Sequence, residues 1–230
     1  MIIPNLLDTF NRSDTDSIAG NSDSGHLWIP SGKCLPCLRN GRLTGSHPAA
    51  YDNAVTYSQW SNVLYGGVVY VYKNATPSAG NVPPNATYWE GVSGNYAFVD
   101  VIRKPEYQYV DAYWEISGQP IVLASSNLDN ALTHTTHVYF SDTGVNVQVR
   151  NNGGSFDSLA AISFSATLGI THRIGVKYCG DRVVVVYPGG ELSVVNQRFS
   201  QVVGRYLMYQ MGSNNYIESA GCVVGTRALI

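Results

Sequence analysis

The stretch His172-Arg173-Ile174-Gly175-Val176-Lys177-Tyr178, the turn Cys179-Gly180-Asp181 and the run Arg182-Val183-Val184-Val185-Val186 together decide the fold class. His172, Ile174, Val176 and Tyr178 alternate with the residues between them, so in an extended chain they share one face. Small turn-forming residues then reverse the chain into a run of valines, whose branched side chains favour strand. Pro188-Gly189-Gly190 closes that run, and Glu191 to Val195 begins another. Upstream, His137-Val138-Tyr139-Phe140 passes through Ser141-Asp142-Thr143-Gly144 and returns with Val145, Val147 and Val149 on one face, opposite Asn146, Gln148 and Arg150. Asn151-Asn152-Gly153-Gly154 ends this hairpin as a loop. Tyr109 to Ile116, Ile121 to Ser125 and Arg205 to Met211 read as further strands. In Ser158 to Leu168, Ile162, Phe164 and Ala166 alternate with Ser163, Ser165 and Thr167, so strand is preferred over a short helix there. Gly221 to Ile230 is expected to return to the sheet that holds the N-terminal segment. No amphipathic helical stretch of convincing length competes with this pattern, and the expected class is all-β.

Only 13% of the 230 residues are Asp, Glu, Lys or Arg, while 11% are aromatic and 23 are glycine. Charged residues usually make up about a quarter of a soluble domain, so the polar surface here must come mainly from Ser, Thr, Asn, Gln and Tyr. Such a surface suits glycan contacts or packing against other copies. The formal net charge is -2 and no basic run occurs, which leaves nucleic acid without an electrostatic footprint. No apolar run reaches the length of a membrane-spanning helix, and Met1 to Phe10 has neither a basic start nor an apolar run of signal-peptide length. The chain is long enough to bury a core without disulfides or metal.

Asp8-Thr9-Phe10-Asn11-Arg12-Ser13-Asp14, followed by Asp23-Ser24-Gly25-His26-Leu27-Trp28 and Asn40-Gly41-Arg42-Leu43, resembles the opening of concanavalin-A-like (LamG-type) sandwiches found in bacterial surface and phage virion proteins. The late hairpin around His172 to Val185 is similar to that of the same fold, and Tyr96 to Asp100 with Tyr109 to Ile116 resembles its middle strand pair. The resemblance implies a concanavalin-like jelly-roll β-sandwich over residues 1–46 and 95–230. Residues 47–94 have a different texture. Thr56-Tyr57, Val63, Tyr65-Gly66-Gly67-Val68-Val69-Tyr70 and Pro83-Pro84-Asn85-Ala86-Thr87-Tyr88-Trp89 resemble small chitin-binding-type β modules of chitinases and phage tail proteins. That family usually has a Gly-Asp turn where this chain has Gln59-Trp60-Ser61-Asn62. The resemblance implies a carbohydrate-binding-like β module inserted in a loop of the sandwich.

Aromatic faces stack on pyranose rings, so Trp60, Tyr65, Tyr72 and Trp89 are the candidate glycan-stacking residues. Tyr70 and Trp89 are expected to build the module's core, leaving Trp60 and Tyr72 as the better exposed. Cys34-Leu35-Pro36-Cys37 has the spacing of a redox pair or half a zinc site. No helix follows to activate a thiolate, and Cys179 and Cys222 are isolated. Asp14, Asp16 and Asp23 near Asn11 and Asn21 could offer oxygens to calcium, without an EF-hand spacing. His134 and His137, three apart on a strand, point to opposite faces. His26, His47 and His172 stand in unrelated contexts. No nucleophile elbow, phosphate loop or dinucleotide fingerprint is present. Asp100, Asp111, Glu115 and Asp129 are scattered, and none stands out as a glycosidase pair.

From both resemblances the expectation is a non-enzymatic phage virion structural protein, a capsid decoration or head-fibre-like accessory component. A tail fibre or receptor-binding lectin recognising host glycans is the alternative. Neither a catalytic residue, a metal nor a cofactor is expected. The expected partners are a major capsid or tail protein, further copies in a homo-oligomer with a trimer as the candidate state, and a host-surface glycan, in a virion made in the host cytoplasm. Neither nucleic acid nor membrane is expected.

Overall fold

A computed structural model describes residues 6–13, 21–31, 37–45, 48–66, 68–92, 95–100, 106–115, 117–127, 134–150, 154–202, 206–211 and 215–223. Among these, the strands in chain order are β1 (Leu6–Asp8), β2 (Trp28–Ser31), β3 (Cys37–Arg39), β4 (Arg42–Thr44), β5 (Asn62–Tyr65), β6 (Val68–Tyr72), β7 (Trp89–Val92), β8 (Asn95–Asp100), β9 (Tyr107–Trp114), β10 (Ile121–Ser126), β11 (Thr135–Ser141), β12 (Gly144–Arg150), β13 (Asp157–Ser163), β14 (Thr171–Cys179), β15 (Arg182–Tyr187), β16 (Gly190–Val195), β17 (Tyr206–Met211) and β18 (Asn215–Val223). A single turn of helix, α1 (Arg198–Gln201), precedes β17. The protein is all-β, a jelly-roll β-sandwich. An eight-stranded sheet runs β16-β15-β14-β9-β18-β4-β3 with β1 beside β18, and a seven-stranded sheet runs β13-β12-β11-β10-β17-β8-β2. Strands β5, β6 and β7 form a third sheet of their own.

Alternation places the core. Along β9, Gln108, Val110, Ala112 and Trp114 are buried while Tyr107, Tyr109, Asp111 and Tyr113 are only partly so. On β14 and β15, Ile174, Val176, Tyr178, Val183 and Val185 join them, facing Val138, Phe140, Val145, Val147 and Val149 of the other sheet. The β14–β15 hairpin pairs Cys179 with Arg182, and Gly180 takes φ 66 at the first position of its two-residue loop, a conformation with no steric penalty for glycine. The C-terminal part of β18 pairs with the N-terminal strand, Leu6 opposite Cys222, and residues 224–230 lie outside the described residues.

The opening motif is a buried polar knot. Asp8, fully buried, accepts from the backbone N–H of Phe10 at 2.8 Å, from Arg12 Nη1 at 2.8 Å and Nη2 at 3.0 Å, and from Trp28 Nε1 at 2.6 Å. Its carboxylate thereby has the multiple donors that a buried charge requires. Phe10 lies tilted against Trp28 at 5.6 Å, and Trp28 meets Tyr209 edge-on at 5.5 Å. The recognisable sequence at residues 8–12 is therefore a folding device that ties the first strand to the middle of the core.

Candidate functional site

The outer face of the eight-stranded sheet collects side chains that are far apart in sequence. From β9 come Tyr107, Tyr109, Asp111 and Tyr113, with Glu115 just past the strand's end. Opposite them β18 carries a bulge: Ile217 pairs with Ala112 and Ser219 with Asp111, which leaves Glu218 as the extra residue. A bulge breaks strict alternation, so the consecutive residues Glu218 and Ser219 both reach partners on this face.

Three polar groupings result. Arg173 on β14 holds Asp111 in a bidentate pair, Nε to Oδ1 at 2.5 Å and Nη2 to Oδ2 at 2.9 Å, and Ser219 Oγ donates to the same Oδ2 at 2.5 Å. Glu218 accepts from Arg42 Nη2 at 2.7 Å through Oε1 and from Thr171 Oγ1 through Oε2. Glu115 accepts from the Tyr216 hydroxyl at 3.2 Å. Guanidinium groups lie over tyrosine rings: Arg173 sits 4.4 Å from the Tyr109 centroid, and Arg42 is 4.6 Å from Tyr113 and 5.7 Å from Tyr216. Glu218, Arg42, Tyr216 and Glu115 thus form one continuous row.

Glycines make room for the aromatic floor. Gly175 and Gly221 flank Tyr109 in register on either side. A Cβ on Gly175 would come 2.6 Å from the Tyr107 ring, and one on Gly221 would run into the Tyr109 ring. The two tyrosines consequently lie along the sheet, stacked at 5.4 Å. Burial raises the hydroxyl pKa of both, with the Arg173 charge opposing. Tyr216 is raised too, first by burial and then by the neighbouring Glu115. Hydrogen bonding to Asp111 raises Arg173 further.

The residues singled out for glycan stacking lie elsewhere, in and near the third sheet. Trp60 is 60% exposed and Tyr65 41% exposed, and Tyr65 meets Tyr51 edge-on at 5.9 Å. Tyr72, expected to be exposed, is corrected: it is buried at 0% exposure, and Trp89, at 2%, lies in the core as its second reading had it, so neither presents a face to a sugar. They pack edge-to-face at 5.1 Å, the Tyr72 hydroxyl bonds Ser78 Oγ at 2.5 Å, and Trp89 Nε1 donates to the Asn81 carbonyl. A core this small must be built from its largest rings, which is why Tyr72 joins Trp89 inside.

Among the scattered carboxylates, Asp111 and Glu115 are brought to one face together with Glu218. Nothing is described of the Asp100 side chain, and Asp129, Asp14, Asp16, Cys34 and His47 lie outside the described residues. Asp23 accepts from the backbone N–H and hydroxyl of Thr9, which lowers its pKa. Cys37 is buried with its Sγ 3.2 Å from the Gly45 carbonyl. His137 is buried against Tyr139 and Phe156, while His172 Nε2 bonds the Thr167 carbonyl at 2.9 Å. Among the described residues no group of three His, Cys, Asp or Glu is placed to hold a metal. Sequence reading overlooked Glu218, Arg42 and Arg173. The available signal was the Tyr-x-Tyr-x-Asp-x-Tyr-x-Glu alternation of residues 107–115, which marks a polar aromatic face.

No protein-family model matches the chain and no curated protein matches it by sequence. Solved structures do share its fold. A beta-agarase A in complex with oligoagarose aligns at TM-score 0.55 and 10% identity, covering 97% of this chain and 92% of its own. An endo-acting O-glycanase of human gut microbiota aligns at TM-score 0.52 and 10% identity, covering 97% and 100%. A non-specific endo-beta-1,3(4)-glucanase from family GH16 aligns at TM-score 0.51 and 11% identity, covering 96% and 90%. At these identities the likeness establishes the jelly-roll fold. The expectation of a non-enzymatic virion structural protein is corrected, since these neighbours are glycan-cleaving enzymes that match over nearly the whole chain.

Proposed function

We propose that this chain is a glycoside hydrolase whose substrate lies on the outer face of the eight-stranded sheet. The observation that carries the reading is the convergence of Asp111, Glu115 and Glu218 on one face floored by Tyr107, Tyr109, Tyr113 and Tyr216. Glycanases on the same fold add an analogy at the level of architecture.

Hydrolysis of a glycosidic bond needs a carboxylic acid to protonate the leaving oxygen and a carboxylate to support the developing positive charge on the sugar ring. Glu115, exposed on this face and bonded by the neutral Tyr216 hydroxyl, is assigned the role of the acid. Glu218, held in place by a donor on each oxygen, faces the sugar as the second carboxylate. Asp111, held on both oxygens by Arg173, is a positioning residue that keeps that guanidinium over Tyr109. The tyrosines supply apolar ring surface and hydroxyls to the substrate's sugar units.

The test is release of new reducing ends from a panel of plant, algal and mucin-type glycans by the full chain, and by Glu115→Gln and Glu218→Gln variants. Turnover that both substitutions abolish, with binding retained, supports the assignment. A chain that binds a glycan on this face and releases no product from any of them overturns hydrolysis.

A further inference from the structure

Among the described residues the sandwich has five edge strands. One, β1, has its free side taken by Ser24, whose Oγ accepts from the Leu7 N–H and whose N–H donates to the Leu7 carbonyl, and three more carry a feature that discourages pairing with another chain. In the seven-stranded sheet β2 contains Pro30, which has no N–H to offer. In the eight-stranded sheet β3 carries Arg39, and β16 carries Glu191 in an ion pair with Lys177 at 2.6 Å. The fifth edge, β13, differs. Its only charge, Asp157, stands at the first position and is held by Arg198 at 2.7 Å. From Ser158 to Thr171 no charged residue occurs at all.

The same flank leaves apolar surface incompletely covered. Leu159 and Ala160 on β13, Phe164 just after it, and Tyr187 and Leu192 on the opposing sheet pack on the core yet stay partly exposed. Strands β13 and β16 lie against each other here, so both sheets end together, with Ile162 36% and Val195 58% exposed. The one bulge in β13, at Leu159, leaves Ala160 to Ser163 in regular register with Gly144 to Val147. Beside it a hollow of about 320 Å³ is lined by Pro120, Tyr139, Asn146, Ala161 and Ser163 among others.

We propose that this chain forms a two-fold dimer in which β13 pairs antiparallel with β13 of a second copy. Two strands related by a two-fold axis run antiparallel, so the seven-stranded sheets would join across the axis through backbone groups of β13 that pair with no other strand among the described residues. A second copy fits the edge because it brings the same uncharged Ser, Leu, Ala and Ile residues, with no like charges opposed and no charge left buried without a partner. It also completes the burial of Leu159, Phe164 and Ile162. This inference is independent of the glycan reading, since β13 belongs to the other sheet.

Sedimentation velocity of the full chain over a wide concentration range tests it, together with amide exchange at the two ends of that range. The expected result is a reversible monomer–dimer equilibrium, with β13 amides slowing as concentration rises. Ala161→Lys, at an exposed position, and Ser163→Lys as a second variant should each weaken the dimer by at least about tenfold, because each places one lysine from either copy on the same short, uncharged seam. A monomer at every concentration overturns the proposal. So does a dimer that both variants leave intact while β13 amides exchange at the monomer rate.

Discussion

Gly221 lies opposite Tyr109 across the β9–β18 pair, and the tyrosine ring fills the space in which a Cβ on residue 221 would stand. The Leu6 carbonyl lies 3.0 Å from the same point, so the strand cannot shift away to make room. Gly221→Ala is expected to destabilise the fold by about 1–3 kcal/mol, the range for overpacking a tight site. Urea denaturation measures this. Lifting Tyr109 also displaces Arg173 and Asp111, so glycan turnover should fall even where the variant remains folded.

Arg42 binds Glu218 and lies over Tyr113 and Tyr216, whose hydroxyl in turn holds Glu115. Arg42→Lys keeps the charge but loses the planar fork that stacks and bonds at once. Its kcat should drop by roughly ten- to a hundredfold with KM little changed, against a loss of about 10²–10⁴-fold for Glu115→Gln. Steady-state kinetics on the responsive glycan separates the two effects.

Asp8 is buried and bound by Phe10, Arg12 and Trp28. Asp8→Ala leaves the Trp28 N–H and the Arg12 guanidinium without their acceptor, and a loss of about 3–5 kcal/mol is expected. Arg12→Ala should be milder, because Arg12 is itself partly exposed. Denaturant midpoints of the two variants, compared with the parent, check the order.

Within residues 48–92, Trp89 and Trp60 should respond in opposite ways. Trp89→Ala opens a hole among Tyr57, Tyr72 and Tyr51, and about 3–5 kcal/mol of that segment's stability should go with it. Trp60 is 60% exposed, so Trp60→Ala should change stability by no more than about 0.5 kcal/mol. Thermal unfolding followed by tryptophan fluorescence distinguishes the two.

His137 is buried between Tyr139 at 4.5 Å and Phe156 at 4.7 Å, and burial lowers its pKa to about 4, with a Gln148 hydrogen bond opposing. The folded value lies below the unfolded one of about 6.5, so the unfolded chain takes up the proton first as pH falls. The stabilisation is complete above about pH 6.5 and is lost progressively down to about pH 4, on the order of 3 kcal/mol in all. His137→Gln should flatten that part of the stability–pH curve, measured by urea midpoints across the window.

Much of the fold was legible because alternation is a local property. The hairpins around Gly180 and Thr143 and the valine faces can be read from period-two spacing and turn residues, whereas the expected return of Gly221 to Ile230 to the N-terminal segment rested on the way such sandwiches bring their two ends together. The motif at residues 8–12 was also visible, although its role as a buried knot needed Trp28 to be brought beside it.

The site was not legible in the same way. Tyr107 to Glu115 announces a polar aromatic strand face, but nothing local says that Arg42, Arg173 and Glu218 will meet it. The Glu218 bulge is a mismatch between two strands separated by about a hundred residues, and it has no counterpart in either sequence segment taken alone. Likewise Tyr72 and Trp60 are both aromatic residues near short strands, and only packing put one inside and left the other in solvent. By itself the sequence determined which residues extend, where they turn and which faces are apolar, since those depend on neighbours one or two positions away. The tertiary structure alone decided which strands lie side by side, because pairing and register are set by burying every apolar face at once, and that choice assembled the carboxylates and tyrosines into one surface.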